Sequence, residues 1–105
     1  MRFLKIEVTG GNIRQGHFYI NRDSGIVPAL SWGGKNKLVA GKNISLRYEG
    51  DADTVDTDFD GEKRIPRFGR GQCRKFFERY GVKAGDEIYL VKESERKFLV
   101  SYSRP

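Results

Sequence analysis

Residues 73–91 read CRKFFERYGVKAGDEIYLV, and this stretch contains both hydrophobic spacings on which the fold depends. Its first half spaces four apolar residues at i, i+3, i+4 and i+7, a pattern that predicts a helix with one buried face. These residues are Cys73, Phe76, Phe77 and Tyr80. Gly81 is typical of a helix C-terminus, and residues 88–91 then predict a strand. The stretch therefore indicates a short helix packed against, or capping, a small curved sheet.

Outward from this stretch, the chain consists of short apolar runs separated by turn residues. Its 13 glycines, together with the asparagines and aspartates between these runs, favour many short strands over a helical bundle. Strands are predicted at residues 3–8, 16–20, 43–48, 55–59, 88–91 and 98–102, with turns at residues 9–12 and 50–51. We therefore expect a mostly β (α+β) fold, built as one domain over residues 1–105.

The composition excludes several classes of protein. Cys73 is the single cysteine, so an internal disulfide is excluded, and its place on the apolar helix face predicts a core residue rather than a nucleophile. No apolar run approaches the roughly 20 residues that span a bilayer, and no signal-peptide core follows the N-terminal residues. We expect a cytoplasmic protein that does not enter a membrane.

Charge is distributed unevenly along the chain, whose formal net charge is +6. Residues 1–50 carry a net +5, residues 51–62 a net −6, residues 63–84 a net +7 and residues 85–105 a net zero. The two basic segments can fold into one positive face, which is the arrangement that binding to a phosphate backbone requires. The sequence therefore favours a polyanionic partner.

The acidic segment 51–62 invites comparison with a calcium site, because its aspartates match the first half of an EF-hand loop. Asp56 would be the first residue of that loop and Arg67 the twelfth, where a bidentate glutamate should close the site. We therefore expect no metal here. The alternation of residues 55–59 instead predicts a strand whose outer face carries Asp56 and Asp58.

An enzymatic role also finds little support in the sequence. Glu62 and Lys63 are adjacent, so on a strand they would point to opposite faces rather than to one metal-dependent nuclease site. His17 is the single histidine, lies in an apolar run and is expected to be structural. The sequence predicts no catalytic residue and no cofactor.

Two basic loops contain the remaining candidate functional residues. Residues 33–37 read GGKNK and residues 63–70 read KRIPRFGR, and both are expected to be exposed. Arginine side chains contact phosphates or pair with guanine edges, and Asn36 has the groups that pair with adenine. The alternative is a solvated basic surface without a partner.

These segments resemble the DNA-binding pseudobarrel family, which includes plant B3 domains and the B3-like recognition and effector domains of bacterial restriction endonucleases. The resemblance covers roughly residues 13–102. It rests on GHFYI at 16–20, Pro28, GGKNK at 33–37, NISL at 43–46, TDFDGEK at 57–63, Arg70, RKFF at 74–77 and VKAGDEI at 82–88. The chain lacks the tryptophan-containing strand of the plant domains near its second arm, which favours the bacterial branch.

The resemblance implies a seven-stranded open barrel with one or two short helices, the first near residues 24–32. Two loop arms would grip duplex DNA in the major groove, the first arm at residues 21–37 and the second arm at residues 58–70. The DNA-binding residues it implies are Arg22, Lys35, Asn36, Lys37, Asp58, Asp60, Lys63, Arg64, Arg67 and Arg70. Either aspartate of the second arm would accept a hydrogen bond from a cytosine amino group or brace one of the arginines.

Three functions follow from these observations. The leading hypothesis is sequence-specific binding of double-stranded DNA, alone or as the recognition module of a restriction or defence system whose nuclease lies on a separate chain. A second hypothesis is a small barrel that binds RNA or single-stranded DNA by stacking bases on four aromatic residues. These are Phe18, Trp32, Phe68 and Tyr89. A third hypothesis is a protein-interaction domain that uses the acidic strand.

Overall fold

The computed structural model describes residues 2–105, which form eight short strands and two α-helices. Three single turns of 3-10 helix lie between the first helix and the third strand. The elements are, in order, β1 (Arg2–Glu7), α1 (Gly10–Gln15), β2 (Trp32–Gly33), β3 (Ile44–Tyr48), β4 (Thr54–Thr57), β5 (Phe59–Asp60), β6 (Ile65–Pro66), α2 (Arg70–Tyr80), β7 (Glu87–Ser94) and β8 (Lys97–Ser101). The 3-10 turns are Arg22–Ser24, Ala29–Ser31 and Lys37–Val39. No helix between residues 2 and 105 is long and apolar enough to cross a membrane.

The strands form two sheets, and neither sheet closes on itself. The larger sheet has the order β1-β7-β8-β3-β4, in which β8 and β3 run parallel and the other neighbours are antiparallel. The smaller sheet has the order β2-β5-β6, with β2 parallel to β5. The expected mostly β fold is confirmed. The seven-stranded open barrel is not found, because the strands are eight over residues 2–105 and lie in two separate sheets.

The stretch at residues 73–91 folds as its spacing predicts. Helix α2 buries Cys73, Phe76 and Phe77, and the ring of Phe76 lies 5.7 Å from that of Tyr48 on β3. Gly81 ends the helix in the left-handed conformation, with φ 59°, and its N–H donates to carbonyls of the last turn. Cys73 is buried in the core, so the expectation of a core cysteine is confirmed, and this burial raises the pKa of its thiol to about 12.

The larger sheet also follows the sequence closely. The predicted strand at residues 43–48 is β3, which buries Ile44, Leu46 and Tyr48, and the turn at residues 50–51 joins it to β4. The predicted hairpin near the C-terminus is β7 and β8, which extend a few residues beyond the expected bounds. The core is formed by this sheet, by α2 and by the segment between α1 and β2, which contributes Phe18, Ile20, Ile26 and Val27.

The prediction of a turn at residues 9–12 is wrong, because α1 begins there. The Thr9 hydroxyl accepts from the backbone N–H of Asn12 at 3.0 Å, and the Asn12 side-chain oxygen accepts from the N–H of Thr9 at 3.0 Å. This reciprocal capping stabilises a helical first turn despite the two glycines within it. The helix ends at Gly16, whose φ of 70° reverses the chain direction.

Two further expectations in the first third of the chain are corrected. Residues 16–20 join neither sheet; Phe18 and Ile20 are buried, and the Ile20 N–H donates to the carbonyl of Arg64 at 2.9 Å. The short helix expected at residues 24–32 is replaced by two separate 3-10 turns. Gly25, with φ 69°, and Pro28 lie between these turns and prevent a continuous helix.

The acidic strand does not have the uniform outer face that its alternation predicts. Asp56 is exposed, but Asp58 and Asp60 are both buried. The reason is a change of sheet, because β4 pairs with β3 and ends at Thr57, whereas β5 pairs with β2 and β6. Asp58 lies at the junction between the two sheets, where the two-residue alternation is lost.

Candidate nucleic-acid interface

The loop between β2 and β3 faces the second arm across an open groove of about 280 Å³. We call residues 34–41 the 34–41 loop and the space between this loop and residues 58–70 the groove. Most of the residues implicated by the sequence line it, together with two apolar side chains. The lining residues are Lys35, Asn36, Lys37, Asp60, Lys63, Ile65, Arg67, Phe68 and Arg70. The structure thus brings together two basic segments that are far apart in the sequence.

A buried ion pair lies at the base of the groove. Arg67 Nε donates to Asp58 Oδ1 at 2.7 Å, and Arg67 Nη2 donates to Asp58 Oδ2 at 2.9 Å. The side chain of Asp58 is 0% exposed and that of Arg67 is 9% exposed. Two parallel hydrogen bonds of this kind fix the guanidinium and carboxylate planes relative to each other.

The same pair also ties the 34–41 loop to the second arm. Arg67 Nη2 donates to the carbonyl oxygen of Gly34 at 2.7 Å, and the N–H of Gly41 donates to Asp58 Oδ2 at 2.7 Å. Both ends of the loop are therefore held by one buried pair. Because both Asp58 oxygens are engaged, the geometry favours the bracing of Arg67 over a contact with cytosine.

The Gly-Gly pair of the GGKNK segment is explained by this junction. A Cβ at Gly33 would overlap the Asp58 carboxylate and the N–H of Gly41, and a Cβ at Gly34 would overlap the Val39 side chain. Close backbone approach, rather than contact with a ligand, therefore requires glycine at these two positions.

The ionisation of Asp58 follows from its hydrogen bonds. Burial alone would raise the pKa of this carboxyl, but hydrogen bonds from Arg67 and from the Gly41 N–H, together with the guanidinium charge, lower it below its usual value. Asp58 is therefore a carboxylate at neutral pH, and the pair is ionic.

Asp60 builds the turn that displays the basic side chains of the second arm. Its Oδ1 accepts from the N–H groups of Glu62 at 2.9 Å and Lys63 at 3.0 Å, and its carbonyl accepts from the N–H of Arg64 at 2.7 Å. Arg64 closes the turn in the left-handed conformation, with φ 62°. Its side chain is exposed, but it does not line the groove.

Asn36 stabilises a turn of the 34–41 loop, as Asp60 does in the second arm. Its Oδ1 accepts from the N–H of Leu38 at 3.0 Å and so caps the 3-10 turn Lys37–Val39. A bidentate pairing with adenine needs this oxygen as well as the amide nitrogen, so the observed geometry favours a positioning role. Lys35 and Lys37 on either side of it are exposed.

Arg22 is not brought to the groove. Its guanidinium lies over the ring of Trp32, 5.3 Å from the ring centroid, and lines a second open cleft of about 370 Å³. The same guanidinium lies near Gly61, behind the turn of the second arm. Arg22 therefore packs against the outside of that turn.

Within residues 2–105, the exposed cations of the groove form no ion pair with a carboxylate, in contrast to the buried Arg67. Over residues 2–105 the ion pairs are Arg67 with Asp58 and Lys5 with Glu87, the latter at 3.2 Å. The exposed groove cations Lys35, Lys37, Lys63 and Arg70 belong to neither pair. Their positive charge is thus directed at solvent.

Helix α2 begins at the edge of the groove without a side-chain cap. Its N-cap is Gly69, with φ 97°, and its first residue is Arg70, with no acidic residue in the first turn. The N-terminus of a helix carries a partial positive charge, so a cation there is unfavourable unless an anion lies nearby. Free N–H groups and a guanidinium together suit a phosphate group.

The environment of His17 could not be predicted from its neighbours in the sequence. Both its ring nitrogens are buried without a hydrogen-bond partner among residues 2–105, and its ring packs 5.3 Å from that of Tyr19. Burial, and then the charges of Arg70 and Lys63, lower the pKa of His17. These two cations come from the second arm, so only the folded chain brings them near His17.

Of the four aromatic residues proposed as stacking platforms, two are excluded. Phe18 and Tyr89 are buried, which leaves no face for a base. Trp32 is half-buried beneath Arg22. Phe68 is 48% exposed and lines the groove.

No protein-family model matches the chain, and no match was found among curated proteins. Among solved structures, the fold is similar to that of the N-terminal domain of Helicobacter pylori LlaJI.R1. The TM-score is 0.60, the match covers 95% of this chain and 85% of that one, and the sequences are 12% identical. At this identity the similarity shows a shared fold.

Proposed function

We propose that this protein binds double-stranded DNA with sequence preference, through the groove between the 34–41 loop and the second arm. The observation that carries the proposal is the set of exposed cations in the groove that form no ion pair with a carboxylate of residues 2–105. Lys35 and Lys37 lie on one side, and Lys63 and Arg70 lie on the other. A duplex placed between them would supply the missing negative charge from both of its phosphate backbones.

The residues of the groove divide into two groups in this proposal. The exposed cations that line the groove bind the DNA, and Arg64 contacts it from the outer side of the second arm, whereas Arg22 packs against the outside of that arm's turn. The buried residues Asp58, Asp60 and Arg67 position the two loops and keep them at a fixed separation. Fixed loops lose little conformational entropy when they bind, which favours discrimination between sequences.

We propose further that the protein is a recognition module rather than an enzyme. The similar fold is that of the N-terminal domain of LlaJI.R1, which is a restriction-system protein. A recognition domain in such a system would act in the cytoplasm and direct a nuclease on a separate chain. In this proposal the fold is a B3-like pseudobarrel in which the two sheets stay apart.

Selection of bound duplexes from a random pool tests the proposal directly. We expect an enriched motif, which then serves as the specific duplex in fluorescence anisotropy against a scrambled duplex. Equal affinity for both duplexes would refute sequence preference, and absence of binding at low salt would refute DNA binding.

Variants of the groove test its location. We expect Lys63→Ala and Arg70→Ala each to weaken binding to the specific duplex about five- to tenfold, since each removes a phosphate contact made close to neighbouring charges. Lys83→Ala is the matched control, because the exposed Lys83 follows the C-terminus of helix α2, and the last residue of this helix lies roughly 15 Å along the helix axis from Arg70. An equal loss in the control would place the DNA elsewhere on the molecule.

Binding of single-stranded DNA or RNA is a second candidate, favoured by Phe68. Its half-exposed ring lies in the basic groove, where an unpaired base could stack on it. Competition between duplex and single-stranded DNA separates the two functions. Preference for the single strand, lost in Phe68→Ala and kept in Phe68→Tyr, would support the second candidate over the first.

A further inference from the structure

The tip of the 34–41 loop exposes an apolar side chain that the charge argument does not explain. Leu38 is 89% exposed, the largest fraction among the large apolar side chains of residues 2–105. Val39 beside it is also largely exposed, and so is Leu30 at the base of the loop, where its carbonyl accepts from the N–H of Lys42. Leu38 and Val39 are adjacent at the tip of the loop, and an exposed apolar patch of this kind is typical of a binding surface.

The exposure of Leu38 is enforced by the loop. The N–H of Gly34 donates to the Val39 carbonyl at 2.7 Å, and Asn36 caps the 3-10 turn on which Leu38 lies. The buried pair beneath then holds the two ends of the loop. These constraints leave Leu38 pointing away from the core.

The surroundings of Leu38 indicate the chemistry of its partner. Lys35 and Lys37 are exposed on the same loop, and neither is paired with a carboxylate. An apolar side chain flanked by cations suits a surface that is negative overall but presents an apolar group. The major groove of DNA is such a surface, because phosphates line it and thymine exposes its C5-methyl group there.

We propose that Leu38 contacts the C5-methyl group of a thymine in the major groove and makes the 34–41 loop selective for that base. This inference rests on the proposed function, because it requires that duplex DNA occupies the groove. It assigns the loop a role distinct from that of the cations. Lys35 and Lys37 hold phosphates, whereas Leu38 distinguishes one base from another.

Replacement of thymine by deoxyuridine tests the proposal, because it removes only the methyl group. In the selected duplex, each thymine is replaced singly and the dissociation constant is measured by anisotropy. We expect one or two positions at which the substitution weakens binding about three- to fivefold, the size that burial of one methyl group gives. At those positions Leu38→Ala should bind the thymine and deoxyuridine duplexes equally.

Two controls accompany this measurement. Leu30→Ala removes an exposed aliphatic side chain at the base of the loop and should leave the thymine-to-deoxyuridine ratio unchanged. Leu38→Met keeps an apolar tip of similar volume and should retain most of the ratio. Since Leu38 is exposed, thermal unfolding of the variants should match that of the unmodified protein.

The outcomes separate this proposal from the function on which it rests. If duplex binding is specific and salt-dependent but Leu38→Ala keeps the same thymine-to-deoxyuridine ratio at every position, methyl contact by Leu38 is refuted and DNA binding stands. If Leu38→Ala weakens all duplexes alike, Leu38 contacts DNA without reading a base. If the unmodified protein does not bind duplex DNA, both proposals fail.

Discussion

At the scale of single residues, the buried pair of Asp58 and Arg67 connects stability with the shape of the groove. Asp58→Asn keeps the size of the side chain, but it replaces one of the two accepting oxygens by an NH2 donor and leaves the Arg67 guanidinium buried without a counter-charge. Removing one charge of a buried pair costs about 3–5 kcal/mol, so we expect a loss of stability in this range. Urea denaturation measures the loss.

Asp56→Asn provides the comparison for this variant. Asp56 is exposed on β4, so the same chemical change should alter the free energy of unfolding by about 0.5 kcal/mol or less. Equal stability of the two variants would show that the ion pair does not brace the loops. Asp56→Asn should also bind every duplex slightly more tightly, since it removes a repulsive charge.

A second prediction at the scale of residues concerns the effect of His17, the single histidine, on the pH dependence of stability. The pKa of His17 lies below its ordinary value of 6.5 in the folded protein, so the unfolded chain takes up the proton first on acidification. Its contribution to stability is therefore complete above pH 6.5 and is lost as the pH falls towards the folded pKa. His17→Gln should reduce the decline in unfolding free energy between pH 7.5 and 5, measured by urea denaturation. An unchanged decline would show that carboxyl groups cause it.

At the scale of elements, we expect one substitution at the N-terminus of α2 to raise the stability of the protein and to lower its affinity for DNA. Arg70→Glu places a negative charge at the helix N-terminus and should raise the free energy of unfolding by about 0.3–1 kcal/mol. The same change should weaken duplex binding more than tenfold, because it replaces a phosphate contact by a repulsion.

The matched variant lies at the other end of the helix. Arg79→Glu makes the same change of charge in the last turn, where Arg79 also donates to the carbonyl of Glu49 at 2.8 Å. It should lower stability and change duplex affinity far less than Arg70→Glu. Urea denaturation measures the stability of both variants, and anisotropy measures their duplex affinity. Equal effects on affinity would argue against a DNA contact by the N-terminus of α2.

The elements also show which parts of the structure could be predicted from the sequence. Helix α2 and the hairpin of β7 and β8 were predictable because their apolar spacing and turn residues are local. Asp58 was placed on an outer face because alternation assumes one continuous strand, and the change of sheet at Thr57 is set by distant partners. Charge and resemblance predicted that two basic segments face each other, but they placed the first arm at residues 21–37, whereas the groove is bounded by the 34–41 loop and Arg22 lies outside it. The hydrogen bonds of Asn36 and Arg67 could not be predicted, because their partners depend on the geometry of the loops.

At the scale of the whole molecule, the two basic segments act as one surface and should respond to salt together. If roughly five to eight phosphates are contacted, the logarithm of affinity should fall with the logarithm of salt concentration at a slope of about −4 to −7. The double variant Lys63→Ala, Arg70→Ala should reduce the magnitude of this slope by about 2. Anisotropy titrations between 50 and 200 mM salt, about the range over which such binding changes most visibly, give both values. A flat response would exclude a phosphate-based interface.

The anchoring of the 34–41 loop has a consequence for how this domain could diverge. Because a single buried pair fixes both ends of the loop, the side chains at its tip contribute little to the folded core. Lys35, Lys37 and Leu38 are therefore free to vary while Gly33, Gly34 and Asp58 stay constant. A library randomised at these three codons should therefore keep the stability of the fold, and under the proposed function its members should differ in the DNA sequence that they bind.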